Sequence, residues 1–108
     1  MTNQYGVNLD RNQYAPSILD TEAGLCFGCF RQTDTARHEI FFGEGRRMKS
    51  KRLGLWANLC PRCHDLAHNE YKYNRYLKQI TQEAAMERYG WDIEKCIAEL
   101  GKNYLEED

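Results

Sequence analysis

Two C-x-x-C pairs, Cys26-Phe27-Gly28-Cys29 and Cys60-Pro61-Arg62-Cys63, stand about 30 residues apart. Each pair can present two thiolates to one ion, and two such knuckles close a tetrahedral site. Four thiolates are the ligand set of structural zinc, so we expect one zinc ion held by Cys26, Cys29, Cys60 and Cys63. Gly28 is expected to let the backbone turn tightly beneath the metal. Two metal-free buried pairs are the plain alternative, and a redox C-x-x-C lacks the βαβ setting that such chemistry uses. The fifth cysteine, Cys96, lies on an apolar stripe and reads as a small buried hydrophobe. Five is an odd number, so a complete set of internal disulfides is excluded.

The three histidines of the chain, His38, His64 and His68, cluster around the same cysteines. His64 directly follows the last cysteine and His68 comes four residues later, so on a helix both share one face. Closing the knuckles would tie the segment that holds His38 to that helix. A second metal site, built from one strand residue and two helix residues, follows as an expectation. The plain alternative is a histidine that caps the helix or bonds a carbonyl. It applies most to His68, near a helix end where the dipole also favours a cation.

Charge is unevenly spread. The net charge is −1, yet residues 26–64 carry eight basic and three acidic side chains. Five cations, Arg46, Arg47, Lys49, Lys51 and Arg52, crowd into seven residues. A basic stripe of this kind is the footprint of a nucleic-acid contact, and we read it as a phosphate clamp without sequence preference. A solvated loop kept soluble by its charge is the competing reading. No apolar run approaches the roughly 18 residues of a membrane span. The polar stretch Met1 to Asp10 lacks the apolar core of a secretory signal, so a cytoplasmic location is expected, where cysteines read as metal ligands rather than disulfides.

The elements that must position these residues can be sketched from pattern. Residues 1–24 read as an irregular arm with a short helical turn near Ser17 to Asp20. Residues 38–42, His-Glu-Ile-Phe-Phe, suit a strand, broken by Gly43-Glu44-Gly45. Arg46 to Leu53 can form a short helix ended by Gly54, and Leu55 to Leu59 reads as a second strand. A helix is expected from Cys63 to about His68. Tyr73, Leu77, Ile80, Ala84 and Tyr89 recur at helical spacing up to Gly90. Asp92 would cap a last helix with Ile93, Cys96, Ile97 and Leu100 as its apolar stripe and Gly101 as its stop. The fold class is α+β. An arm (1–24), a metal core (25–70) and a helical extension of the same domain (71–108) follow one another. The helices after Tyr71 carry no chemical signature and read as packing, and Glu106 to Asp108 as a solvated tail.

The combination of C-x-x-C, His38-Glu39-Ile40 and Leu59-Cys60-Pro61-Arg62-Cys63-His64 with a later His68 resembles the HNH (ββα-metal) endonucleases. The likeness is greatest to small phage and prophage members with a four-cysteine zinc site. It covers about residues 20–70. More loosely it extends to Phe41-Phe42-Gly43, Arg47-x-x-Ser50 and Gly101-Lys102-Asn103-Tyr104-Leu105. The resemblance implies a zinc-stabilised ββα-metal core with C-terminal helices packed on it, and metal-dependent hydrolysis of DNA phosphodiester bonds. It implies a second divalent ion (Mg, Mn, Ni or Zn) held by His38 and His64, with His68 matching a helix histidine of some members. It also implies a phage or prophage origin and a homodimer, since related nucleases often act as pairs.

In that family an adjacent pair on the first strand supplies one ligand and one general base, here His38 and Glu39. A histidine usually stands where this chain has Glu39, and a carboxylate is poorly matched to proton transfer at neutral pH. Three readings stay open: Glu39 is the base; His38 is the base and Glu39 turns to the metal; or the site only binds DNA. The family's central Asn has no clean counterpart, Asn58 being the nearest. A noncatalytic zinc-dependent nucleic-acid-binding or recombination module is the alternative to the nuclease.

Overall fold

A computed structural model describes residues 1–43 and 45–106. The order of elements is β1 (Ala36–Glu39), α1 (Arg46–Leu53), β2 (Trp56–Leu59), α2 (Pro61–Asn69), α3 (Tyr71–Tyr89) and α4 (Ile93–Leu100). The class is α+β, as expected from the pattern, with a two-stranded antiparallel sheet and four helices among the described residues. Of the loop-breaking triplet and the acidic tail, Glu44, Glu107 and Asp108 lie outside the described residues.

The sheet pairs His38 with Ala57 and Glu39 with Trp56. The first strand ends at Glu39 rather than running on to residue 42. The cause is Ser50, buried on α1. Its hydroxyl donates to the Phe41 carbonyl (2.7 Å) and accepts from the Phe41 amide (3.0 Å), so Phe41 pairs with the helix instead of with β2. The expected Arg46–Leu53 helix is present, and Gly54 closes it in a left-handed conformation. Gly90 and Gly101 close α3 and α4 in the same way.

Helix α2 starts two residues earlier than expected. Pro61 occupies its first turn, and the Cys60 sulfur caps it by accepting from the Cys63 amide at 3.4 Å. On α3 the buried face comprises Leu77, Thr81, Gln82 and Ala85. Two polar residues can be buried there because their groups are satisfied. Thr81 Oγ1 donates to the Leu77 carbonyl, while Gln82 bonds Asn103 Oδ1 (2.8 Å) and the Tyr104 amide (2.7 Å). Asp92 caps α4 as expected. Its apolar stripe is narrower than the pattern suggested: Cys96 and Leu100 are buried, whereas Ile93 and Ile97 are exposed.

The arm is a strap, with no helical turn at Ser17–Asp20. Ser17 gives its hydroxyl to the Trp56 carbonyl and accepts from the Leu19 amide, which holds the segment as a bend. Ala15 N donates to the Lys51 carbonyl and Ile18 N to the Gly54 carbonyl. At the far end Tyr5 stacks on Tyr89 and accepts from Trp91 Nε1. One cluster of buried apolar side chains runs from Cys26 through Leu59 and Leu77 to Leu100. No helix among the described residues is long and apolar enough to cross a membrane.

Candidate metal centres

The sulfurs of Cys26, Cys29, Cys60 and Cys63 lie within 4.8 Å of one another. A tetrahedron with metal–sulfur bonds of roughly 2.3 Å has edges of about 3.8 Å, and Cys29 Sγ stands 3.9 Å from Cys60 Sγ. The cluster can therefore hold a metal ion. Backbone amides support the thiolates: Cys29 N and Cys60 N donate to Cys26 Sγ (3.4 and 3.3 Å). Burial works against the charged form of Cys26, but these amides outweigh it and bring the thiol down to about 6. Burial, then its sulfur neighbours, push Cys63 up to about 12. Three of the four cysteines are buried and Cys29 is exposed.

Gly28 lies in a turn between Cys26 and Cys29, as expected. It is not among the left-handed glycines. A Cβ at this position would meet Tyr73 Oη at 2.0 Å and Cys63 Sγ at 3.1 Å, so glycine is required by close approach. The Tyr73 hydroxyl is buried there with no hydrogen-bond partner among the described residues. Cys96 stands apart on α4, buried in the core as expected.

His38, His64 and His68 also converge, with ring nitrogens within 4.8 Å of one another. His38 reaches the group from β1, while His64 and His68 share one face of α2. Their rings meet edge to face at centroid distances of 4.8–5.1 Å. His64 Nε2 and His68 Nε2 are 3.3 Å apart. His38 is 2 % exposed, and its Nε2 has no partner among the described residues. Burial, then the charges of His64 and His68, push His38 down to about 3, so a neutral ring aims a free nitrogen at its neighbours. Burial, then His68, also lowers His64. An orphaned buried nitrogen facing two further imidazoles is a donor set that fits a divalent cation.

The histidines open into a cavity of about 330 Å³ whose lining includes Tyr14, Arg37, Glu39, Phe42 and Arg47. Glu39 lies on this cavity but outside the cluster of ring nitrogens. Its carboxylate accepts from Tyr14 Oη at 3.0 Å and faces Arg47 Nε at 3.4 Å. Asn58 points elsewhere: its backbone and side-chain nitrogens both approach Thr21 Oγ1.

The five cations sit on α1 and diverge. Arg47 reaches the cavity. Lys49 pairs with Glu99 at 3.8 Å, and Lys51 lies over the Tyr14 ring. Arg52 donates to Gln13 and to the Thr2 carbonyl of the arm. Arg46 faces the end of α4. Tyr14 was not singled out from sequence, because a lone tyrosine in an irregular arm carries no local signal. Phe42, between His68 and Lys78 of α3, belongs to the expected strand and to the Phe41-Phe42-Gly43 stretch, and neither pattern assigns it a role at the site.

No family model, curated protein or solved structure matches the chain.

Proposed function

We propose that this chain is a metal-dependent DNA endonuclease of the ββα-metal (HNH) type, stabilised by zinc on its four cysteines. The observation that carries the reading is the convergence of His38, His64 and His68 on a cavity bordered by Glu39 and Arg47. Four thiolates select zinc in the first centre. In the second, His38, His64 and His68 would hold a divalent ion, which would supply Lewis-acid polarisation of a phosphodiester and charge stabilisation at the leaving oxygen.

The remaining roles fall to side chains of this chain. Arg47, largely exposed at the cavity, offers a charge-assisted contact to a phosphate oxygen. Glu39 accepts a proton from water, with Tyr14 orienting its carboxylate through Oε2. His38, kept neutral by burial, serves as a ligand, which favours Glu39 over His38 as the base. The noncatalytic binding module draws on one specific observation: Glu39 already has two partners, Tyr14 and Arg47.

Plasmid nicking by zinc-loaded protein, with Mg, Mn, Ni or EDTA in parallel, tests the proposal. We expect cleavage that requires the added ion and falls by about 10²–10³-fold in His64→Ala. No cleavage with any ion, from folded zinc-bound protein, would leave the binding module.

A further inference from the structure

A groove of about 220 Å³ shares Phe42 with the histidine cavity in its lining. Phe42, Tyr104 and three cations, Arg46, Lys78 and Lys102, line it. Lys78 Nζ stands 5.1 Å from the Phe42 ring centroid and 5.3 Å from that of Tyr104. Lys102 Nζ is 5.4 Å from the same Tyr104 ring. Two ammonium groups thus approach one aromatic ring, and burial, then the charge of Lys102, holds Lys78 below its ordinary proton affinity.

Part of this charge has a local cause. The carbonyl end of α4 attracts cations, which accounts for Arg46 and Lys102. Gly101, at φ +95°, leaves room for the Arg46 guanidinium, since a Cβ would come within 2.7 Å of it. Lys78 has no such explanation. It belongs to α3, is partly buried, and pairs with no carboxylate among the described residues. Placing a partly desolvated ammonium beside two other cations costs free energy that an arriving anion would recover.

Phe42 also borders the histidine cavity, with its ring 5.1 Å from His68. The two openings therefore have this residue in common. A ligand with phosphates repeated along a chain can fill both at once. We infer that the groove binds a backbone phosphate of the same nucleic-acid strand whose phosphodiester enters the histidine cavity. The proposal rests on the nucleic-acid reading of that cavity and adds Lys78 and Lys102 to the contact surface.

The test is fluorescence anisotropy of a labelled DNA duplex across a salt series, on zinc-loaded protein without further divalent ion. Lys78→Met keeps the aliphatic stem over Phe42 and Tyr104 and removes the charge. We expect it to weaken binding about threefold to tenfold and to lower the slope of log K against log[salt] by about 0.9, one phosphate contact. Lys102→Met, at an exposed position, should do the same and covers the case in which Lys78→Met misfolds. Lys72→Met, exposed on the first turn of α3, should leave the slope unchanged. Unaltered slopes in the folded Lys78 and Lys102 variants, or a wild-type chain that binds no duplex, would overturn the groove. Nicking, measured separately, does not enter this outcome. A groove-dependent slope without cleavage would sustain the groove and refute the nuclease.

Discussion

The cysteine cluster and the histidine cluster are built from the same two pieces of chain, a segment around β1 and helix α2, yet they differ in closure. The sulfurs are braced by backbone amides, three of the four cysteines are buried, and Cys60 doubles as the cap of α2. The imidazoles run from buried His38 through half-buried His64 to exposed His68 and face a cavity. A closed set of four ligands spends its binding free energy on folding, whereas an open set of three leaves coordination free for something else. One residue along α2 is enough to pass from the first kind of site to the second, because Cys63 is buried among the sulfurs and His64 joins the imidazoles.

The contrast is sharpest in what each cluster holds together. Cys60→Ala removes a ligand and the α2 cap at once. We expect loss of cooperative thermal unfolding by circular dichroism, since structural zinc contributes on the order of 10 kcal/mol in small domains. A variant that melts within a few degrees of wild type would erase the distinction. His64→Ala should do the reverse. Metal-dependent nicking should fall by about 10²–10³-fold, while the zinc bound by the cysteines stays at one ion per chain.

Glu39→Gln probes the same side of the comparison without touching a ligand. We expect nicking to fall by about 10²-fold, with metal binding by the histidines, followed through cobalt absorption, preserved. A variant of full activity would remove Glu39 from the chemistry. Tyr14→Phe should be milder, because one hydrogen bond contributes roughly 1 kcal/mol. A fall in kcat of severalfold with KM unchanged marks Tyr14 as a positioning residue; equal changes in both would mark it as part of the binding surface. Smallest is the expected effect of Arg47→Ala: affinity for duplex DNA reduced severalfold, and a salt slope lower by about 0.9.

Helix stops and the cap of α4 were readable from local chemistry, whereas the start of α2 at Pro61, equally local, falls two residues before the expected one. Gly54, Gly90, Gly101 and Asp92 act where glycine stops and an aspartate cap were expected. Readings failed where a distant partner intervened. Strand β1 ends early because Ser50 captures Phe41. Gln82 is buried because Asn103 and Tyr104, some 21–22 residues on, satisfy its amide. Ile97 lies exposed although it fits an apolar stripe. The basic run was legible as charge, but not as five side chains with separate destinations.

Sequence by itself determined the donor atoms: four thiols in two knuckles, and two imidazoles one helical turn apart. Those relations span three or four residues, so backbone geometry alone settles them. Only the tertiary structure decided that His38 joins the pair on α2, since this depends on the β1–β2 register and on how the knuckles set the sheet against the helix. It also decided that Tyr14, 25 residues away along the chain, reaches Glu39, and that Lys78 comes to share Phe42 with His68. Contacts of that range follow from packing of the whole chain, which no local spacing encodes.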